Sequence, residues 1–500
     1  APESALKQME NGEFEEVDVD EVDVGDILLV KTGAKVPVDG TVLSGEGHIN
    51  EASITGEAVP VGKKKDSQVY AGTILENGTI QIVADRVGED TTFGRIIELV
   101  EEAQDSKSEA ERFIDRLSKY YTPAVLVLSS IVWLISRDIE LAITILVLGC
   151  PGALVIGVPV SNVAGIGNGA RHGVLLKGSE VIHDFSKVDT VVFDKTGTLT
   201  IGNPKVADKE IYADNADEVL GYLASVESES DHPLAKAVAE HIGNTKVHTV
   251  EKTDVVKGGG IVAQVGGHRV AVGNVALMEQ EGVHLDEKAR ADIARFEENG
   301  NSLVLTSVDG ELKALMGIRD QIRPGVKEDL QRLKKLGVKN LVLLSGDNQG
   351  TVDLVARELG LTEAHGHMLP EDKSAYIKEL QAKGQIVAFV GDGVNDSPSI
   401  ALAQIGIAMG SGTDAAIETS DIVLMNSDFS RLPHALGLTK ATANNMRQNI
   451  VIAVGVVLVL LASVFFSEWM NMSIGMLVHE ASILAVILNG MRLLSYKLRY

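Results

Sequence analysis

Hydrophobic positions fall along this chain in several distinct rhythms. Over residues 1–104 they come in short bursts between Gly and Asp turns. Ile27 to Val30, Val42 to Leu43 and Thr79 to Val83 alternate or run apolar in the manner of β-strands. From Thr92 to about Leu117 the spacing turns helical, with Ile96, Ile97, Val100 and Ala103 on one stripe of a polar segment. Long apolar runs then appear in two pairs: Tyr121 to Ile135 with Ile139 to Val163, and Asn449 to Phe466 with Ile474 to Leu494. Each approaches the roughly 17–25 residues that a helix needs to span a bilayer. A buried core helix remains the alternative for the first and shortest run, but the pairing favours a membrane.

Between the pairs, Thr190–Phe193, Lys339–Leu344 and Gln385–Val390 read as buried strands, each ending at a Gly/Asp loop with helical patterns between them. This predicts a doubly wound α/β sheet with functional loops at the strand C-termini. Residues 204–315 interrupt the sheet after its first strand. Their own strands (Val255–Val256, Ile261–Val265, Arg269–Val272) mark an inserted α+β domain. The expected order is therefore a β-rich domain at 1–104 and a stalk at 105–117. Membrane helices follow at 118–136 and 139–165. The sheet domain lies in two parts, 170–203 and 316–430, around the insert. A stalk and membrane helix at 431–466 and a last helix at 473–494 complete a multidomain α/β membrane protein. Arg171, Lys177, Lys440, Arg447, Arg492, Lys497 and Arg499 flank the spans on the side of the soluble region. The turns 136–138 and 467–471 carry little positive charge, so both chain ends are expected in the cytoplasm.

Composition narrows this picture. Five hundred residues exceed one core. A net charge of −25 excludes the basic face of a nucleic-acid binder. A single cysteine excludes a disulfide framework or a Cys-rich zinc site. The start at Ala1, without a signal-like segment, reads as a fragment or a processed chain.

The candidate chemistry begins at Asp194-Lys195-Thr196-Gly197-Thr198-Leu199-Thr200, directly after the strand Val191-Val192-Phe193. A strand-end aspartate in a Lys/Thr/Gly turn is posed to attack phosphorus while backbone N–H groups and Lys195 hold the anion. An isolated aspartate would read as a turn cap, but the whole string is too specific for that. Ser345-Gly346-Asp347-Asn348 ends the second sheet strand, Gly391-Asp392-Gly393-Val394-Asn395-Asp396 ends the third, and Lys373 lies between them in Pro370-Glu371-Asp372-Lys373. A doubly wound sheet brings such loops to one edge, where phosphoryl transfer needs a nucleophile, magnesium and positive charge. Asp194 is assigned as nucleophile. Asp392 is assigned as a magnesium carboxylate, with the Thr196 carbonyl as a further ligand. Lys373 neutralises phosphate, Ser345 hydrogen-bonds it, Asp347 joins the catalytic set, and Asn395 and Asp396 organise the loop. No Walker phosphate loop is present.

The motif string, in its order along nearly the whole chain, resembles the P-type ATPases, ion pumps that phosphorylate themselves on this aspartate. The resemblance implies a haloacid-dehalogenase-like (HAD-like) phosphorylation domain, an inserted nucleotide-binding domain and an actuator domain, with ATP and Mg2+ as cofactors. Ser345 departs from the usual Thr but keeps the hydroxyl. The resemblance gives Thr55-Gly56-Glu57 the task of positioning water against the aspartyl phosphate, with Glu57 as general base. It also makes Glu227, His232-Pro233, Gly258, Gly260 and Gly273 the nucleotide pocket of the heavy-metal (class IB) subfamily, with His232 orienting adenine.

For the transported ion, Cys150-Pro151-Gly152 should unwind its helix in mid-membrane, freeing carbonyls beside a thiolate. His479, Glu480 and Ser482 lie in the last span, where ionisable groups are costly and functional. Heavy-metal pumps usually carry a second thiol or a near variant at this kink, so Cys-Pro-Gly departs from the pattern. His-Glu resembles the cobalt-type branch; the zinc/cadmium branch has Asp where His479 stands. A mixed N/O/S set suits a divalent ion (Co, Zn, Cd, Mn, Fe) over copper(I). Met470, Met472 and Met476 would favour copper but also read as flexible filler.

The expected function is ATP-driven export of a divalent heavy metal through an aspartyl phosphate. The expected setting is a monomer in a bacterial plasma membrane, with cytoplasmic soluble domains and no nucleic-acid partner. A copper or other cation pump, a transport-dead metal sensor and a HAD-type phosphatase stand as alternatives. Further membrane helices and a metal-binding tail are expected to precede Ala1.

Overall fold

The structure is a computed structural model that describes residues 3–51, 60–94, 98, 109–228, 233–245, 248–256, 259–392, 397–410, 420–466 and 471–498. The chain divides into one unit of Ala1–Lys187 with Gly410–Tyr500 and a second of Val188–Met409.

In the first unit, the N-terminal segment folds into an antiparallel sheet. Its long strands Asp39–Asn50 and Ile74–Arg86 pair along their length, with irregular register at several points. Leu28, Val30, Val42, Ile49, Leu75, Ile80 and Ile82 form its core. These are the inward members of alternating strands, as the period-two pattern requires. Thr55, Gly56 and Glu57 lie outside the described residues.

Among the described residues of this unit, four helical stretches are long and apolar enough to cross a membrane: Glu111–Ser136, Ile139–Arg171, Arg431–Phe466 and Met472–Ser495. The second is broken into Ile139–Leu148 and Gly152–Arg171. Proline lacks the N–H that would continue the ladder through position 151, so the chain turns there instead. The Cys150 N–H reaches the Val147 carbonyl at 3.3 Å and the new helix opens with Val155 N–H on the Pro151 carbonyl at 3.0 Å. Asn449 ties three helices together by donating from Nδ2 to the carbonyls of Gly157 (2.8 Å) and Val486 (3.2 Å). Amide-to-carbonyl bonds of this kind hold helices where lipid supplies no hydrophobic drive.

The second unit contains a parallel sheet in the order Glu363–His365, Asn340–Leu344, Thr190–Asp194, Val387–Gly391, Ile405–Gly410. The central strands are β-branched, aromatic and leucine-rich, because both faces are covered. Val192, Val342, Ile377, Leu380 and Phe389 pack on one face. Into this sheet is inserted a six-stranded antiparallel sheet. One side is covered by helices Ala216–Glu227 and Pro233–Ile242, the other by Val275–Gln280 and Glu287–Glu298. Its last strand, Glu311–Arg319, pairs with its first, Lys205–Ile211. The insert therefore runs to Arg319 and not only to 315, since a strand's end is set by its partner and not by its own apolar pattern.

Candidate active site and membrane site

Asp194 is the last residue of the central parallel strand. Its neighbour in register is Leu344, so Ser345 lies one step beyond it on that side. On the other side Val390 is in register with Phe193, and Asp392 follows at the strand end. Three loops thus meet at the C-terminal edge, where strand carbonyl ends and helix N-termini converge.

Lys373 enters from the first turn of helix Pro370–Ala382. Asp372 fixes the start of that helix by accepting the Leu369 N–H at 3.0 Å, and Pro370 suits the first turn because it has no N–H to leave unsatisfied. The Lys373 ammonium then lies 3.0 Å from Asp194 Oδ1, with both side chains largely buried. A cation held this close in a poorly solvated site favours the charged carboxylate and can follow charge onto a bound phosphoryl group. Lys195 is buried and forms an ion pair with Asp347 Oδ2. Ser345 is buried, and its Oγ accepts the Asp347 N–H at 3.1 Å.

Gly197 lets the loop turn, with φ of 78°. A Cβ built on it would stand 3.9 Å from Asp392 Cβ, so the loop backbone comes close to that carboxylate. Arg323 clamps the loop from below. Its Nε donates to the Thr198 carbonyl at 2.9 Å and an Nη to the Gly197 carbonyl at 2.8 Å. Asp320 closes the crossing into the insert by accepting from Thr200 Oγ1 (2.6 Å), Gly202 N–H (3.0 Å) and Asn203 N–H (3.2 Å). Asp194 and Asp392 are hard oxygen donors on adjacent loops, a set that fits Mg2+. Asp396 lies outside the described residues.

Of the nucleotide-pocket candidates, Glu227 is buried at the end of its helix, and that burial pushes its carboxyl up to about 7. Gly260 and Gly273 face each other across a strand pair. A Cβ on Gly260 would come within 2.1 Å of the Val272 carbonyl oxygen, so the close strand approach itself demands glycine there. Pro233 opens helix Pro233–Ile242, whereas His232 and Gly258 lie outside the described residues.

At the membrane kink, His479 is buried and faces Gly152: a Cβ on that glycine would lie 3.5 Å from His479 Nε2 and 3.2 Å from Ile483 Cδ1. Cys150 is exposed. Glu480 is also exposed, since successive helical residues point about 100° apart and His479 takes the inward direction. Ser482 is buried but donates its hydroxyl to the His479 carbonyl at 2.6 Å. Of the four expected ion residues, the structure places His479 against Gly152 at the kink, leaves Cys150 and Glu480 exposed, and engages the Ser482 hydroxyl in its own helix. Among the described residues no group of three or more His, Cys, Asp or Glu side chains gathers to hold a metal.

Sequence reasoning missed Ser302, Asp320 and Arg323. Ser302 Oγ donates to Asp347 Oδ1 at 2.8 Å. The return crossing Arg319-Asp320-Gln321-Ile322-Arg323-Pro324 offered a signal in its charges before a proline. Ser302 offered none.

Comparison with known proteins decides the family. Residues 188–404 match the haloacid dehalogenase-like hydrolases and residues 1–101 the P-type ATPase actuator domain. A cadmium-transporting ATPase of Staphylococcus aureus is 37% identical over 515 residues, covering 99% of this chain and 70% of that protein. This chain is a P-type ATPase. A copper-exporting P-type ATPase of Legionella pneumophila is 40% identical over 470 residues, covering 90% of the chain and 63% of that protein. The crystal structure of a zinc-transporting PIB-type ATPase in its E2.Pi state is similar with a TM-score of 0.59 and 34% identity, covering 99% of this chain and 82% of that one. The protein belongs to the heavy-metal branch of the P-type ATPases, a family of ATP-hydrolysing cation pumps, and the phosphatase alternative falls away. ATP use and Mg2+ dependence are properties of this family, and a membrane setting follows from it and from the apolar helices.

Proposed function

We propose that this P-type ATPase exports a divalent transition-metal ion from the cytoplasm across a bacterial plasma membrane, with Asp194 as the phosphorylated residue. The observation that carries this reading is the Lys373–Asp194 contact of 3.0 Å at the end of the central strand, with Asp392 on the next loop. An Asp194 carboxylate oxygen attacks the γ-phosphorus of ATP, a P–O bond to Asp194 forms, and the bond to ADP breaks. Lys373 neutralises the transferring oxygens, and Lys195, steadied by Asp347, adds positive charge beside them. Asp194, Asp392 and the Thr196 carbonyl are the groups that would hold Mg2+, which would offset the charge on the transferring phosphate oxygens. Glu57, with Thr55 and Gly56, then orients water for hydrolysis of the acyl phosphate. Glu227 and the glycine pair Gly260 and Gly273 support adenine binding with His232, Pro233 and Gly258.

At the kink, Cys150 sulfur and the His479 imidazole, with Glu480 and Ser482 on the same last helix as His479, would supply a mixed N/O/S set suited to a borderline divalent ion such as Zn, Cd or Co. The relative that exports copper keeps a copper reading in view, but copper(I) favours paired sulfur and this chain has one cysteine. The test is ATP turnover across a panel of metals. Divalent ions should stimulate the wild type, His479→Ala should lose at least tenfold of that stimulation, and Asp194→Asn should form no phosphoenzyme. Labelling of Asp194→Asn by the γ-phosphate would defeat the catalytic assignment, and stimulation by copper(I) alone would defeat the divalent one.

A further inference from the structure

Ser302 opens the strand Ser302–Val308 of the inserted domain, yet its hydroxyl points out of that domain to Asp347, in the loop that follows strand Asn340–Leu344. Both oxygens of Asp347 are engaged: Oδ1 by Ser302 Oγ at 2.8 Å and Oδ2 by the Lys195 ammonium. The neighbouring Asn301 carbonyl accepts from Asn348 Nδ2 at 3.2 Å and Thr351 Oγ1 at 2.9 Å, so the same two residues of the insert fasten the loop twice. Asn301, Ser302 and Lys195 are all buried, which makes each bond stronger than it would be in water.

We infer that Ser302 is a positioning residue for phosphoryl transfer. By fixing the plane of the Asp347 carboxylate it fixes where Lys195 stands beside Asp194, and it makes that placement depend on the seating of the nucleotide domain. Lys195 has several rotatable bonds and a single ammonium, so its location is set by its counterion. Without the Ser302 hydroxyl, Asp347 can rotate and draw Lys195 with it, while the nucleotide pocket on the insert's own sheet keeps its residues. The inference rests on the assignment of Asp194 as nucleophile.

The test uses the full chain in membranes, with phosphoenzyme formation from γ-labelled ATP. Ser302→Ala should lower the rate of labelling about tenfold, roughly the worth of one charge-assisted hydrogen bond. The KM for ATP should move by less than about threefold, and Ser302→Thr should restore the rate, since a hydroxyl is what matters. In an Asp347→Asn background Ser302→Ala should add less than about twofold, because the two act through one interaction. An unchanged rate in Ser302→Ala, or a full additional loss in the Asp347→Asn background, would overturn the inference while leaving Asp194 in place. Absence of labelling in the wild type would instead overturn the parent assignment, and this inference with it.

Discussion

Glu227 shows how burial sets the behaviour of a single group. Its carboxyl is raised to about 7 by desolvation, from an ordinary value near 4.3 in an unfolded chain. The folded state thus holds the proton more tightly, and the stabilisation it gives is complete below about pH 4 and is lost as pH rises through 7. The full shift corresponds to about 3 kcal/mol, an order-of-magnitude figure. Glu227→Gln should therefore flatten the pH dependence of the insert's thermal unfolding between about pH 4 and 7, and raise its melting temperature most at and above the upper end. Melting curves of wild type and variant that fall in parallel across that range would show that another group sets the dependence. At this scale the sequence was legible wherever chemistry fixes residue type. Asp194, Lys373 and Asp392 are demanded by phosphoryl transfer and stand together at one sheet edge. Ser302 was illegible because a serine at a strand start is common, and only the tertiary path of the chain brings it to Asp347. Glu480 and His479 share a motif but not a face, since adjacent helix residues point about 100° apart.

Among the elements, the broken membrane helix is the most telling. Prolines also stand inside Glu109–Ser136 (Pro123) and Gly152–Arg171 (Pro159), yet those helices continue through them. The break at 149–151 lies at Pro151 itself, whose ψ of 37° leaves the helical region, while Gly149 keeps helical angles (φ −78°, ψ −5°) and Gly152 opens the next helix. Pro151→Ala should let the two segments join into a continuous helix. The variant should still form phosphoenzyme from ATP but lose most metal-stimulated turnover, by about tenfold or more if the opened backbone is part of the ion path. Full metal-stimulated turnover in Pro151→Ala would remove the kink from the mechanism. Period made strands such as Thr190–Asp194 and Gly260–Val265 legible, but Lys205–Ile211, Ser302–Val308 and Ile405–Gly410 went unread, as did Glu311–Arg319. There the return to the parallel sheet is decided by pairing with Lys205–Ile211, which lies about a hundred residues earlier and cannot be read locally.

Across the whole molecule, the Asp320 clasp has a consequence for how such a chain is assembled. The insert leaves and rejoins the sheet domain at one place: Ile201 N–H bonds the Gln321 carbonyl at 2.9 Å, and Asp320 holds both Gly202 and Asn203. Closing the gap left by removing everything between therefore needs only a few residues and little loop entropy. Residues 204–319 expressed alone should fold with a single cooperative melting transition. A chain in which a short Gly/Ser linker replaces them should keep its parallel sheet while losing ATP-dependent labelling. Aggregation of both pieces would show that neither core stands without the other. A doorway of this kind is what makes one polypeptide separable into two genetic parts: the fold could acquire, exchange or lose its nucleotide-handling module by two cuts at neighbouring points, after Asn203 and before Asp320, without disturbing the aspartate that receives the phosphate.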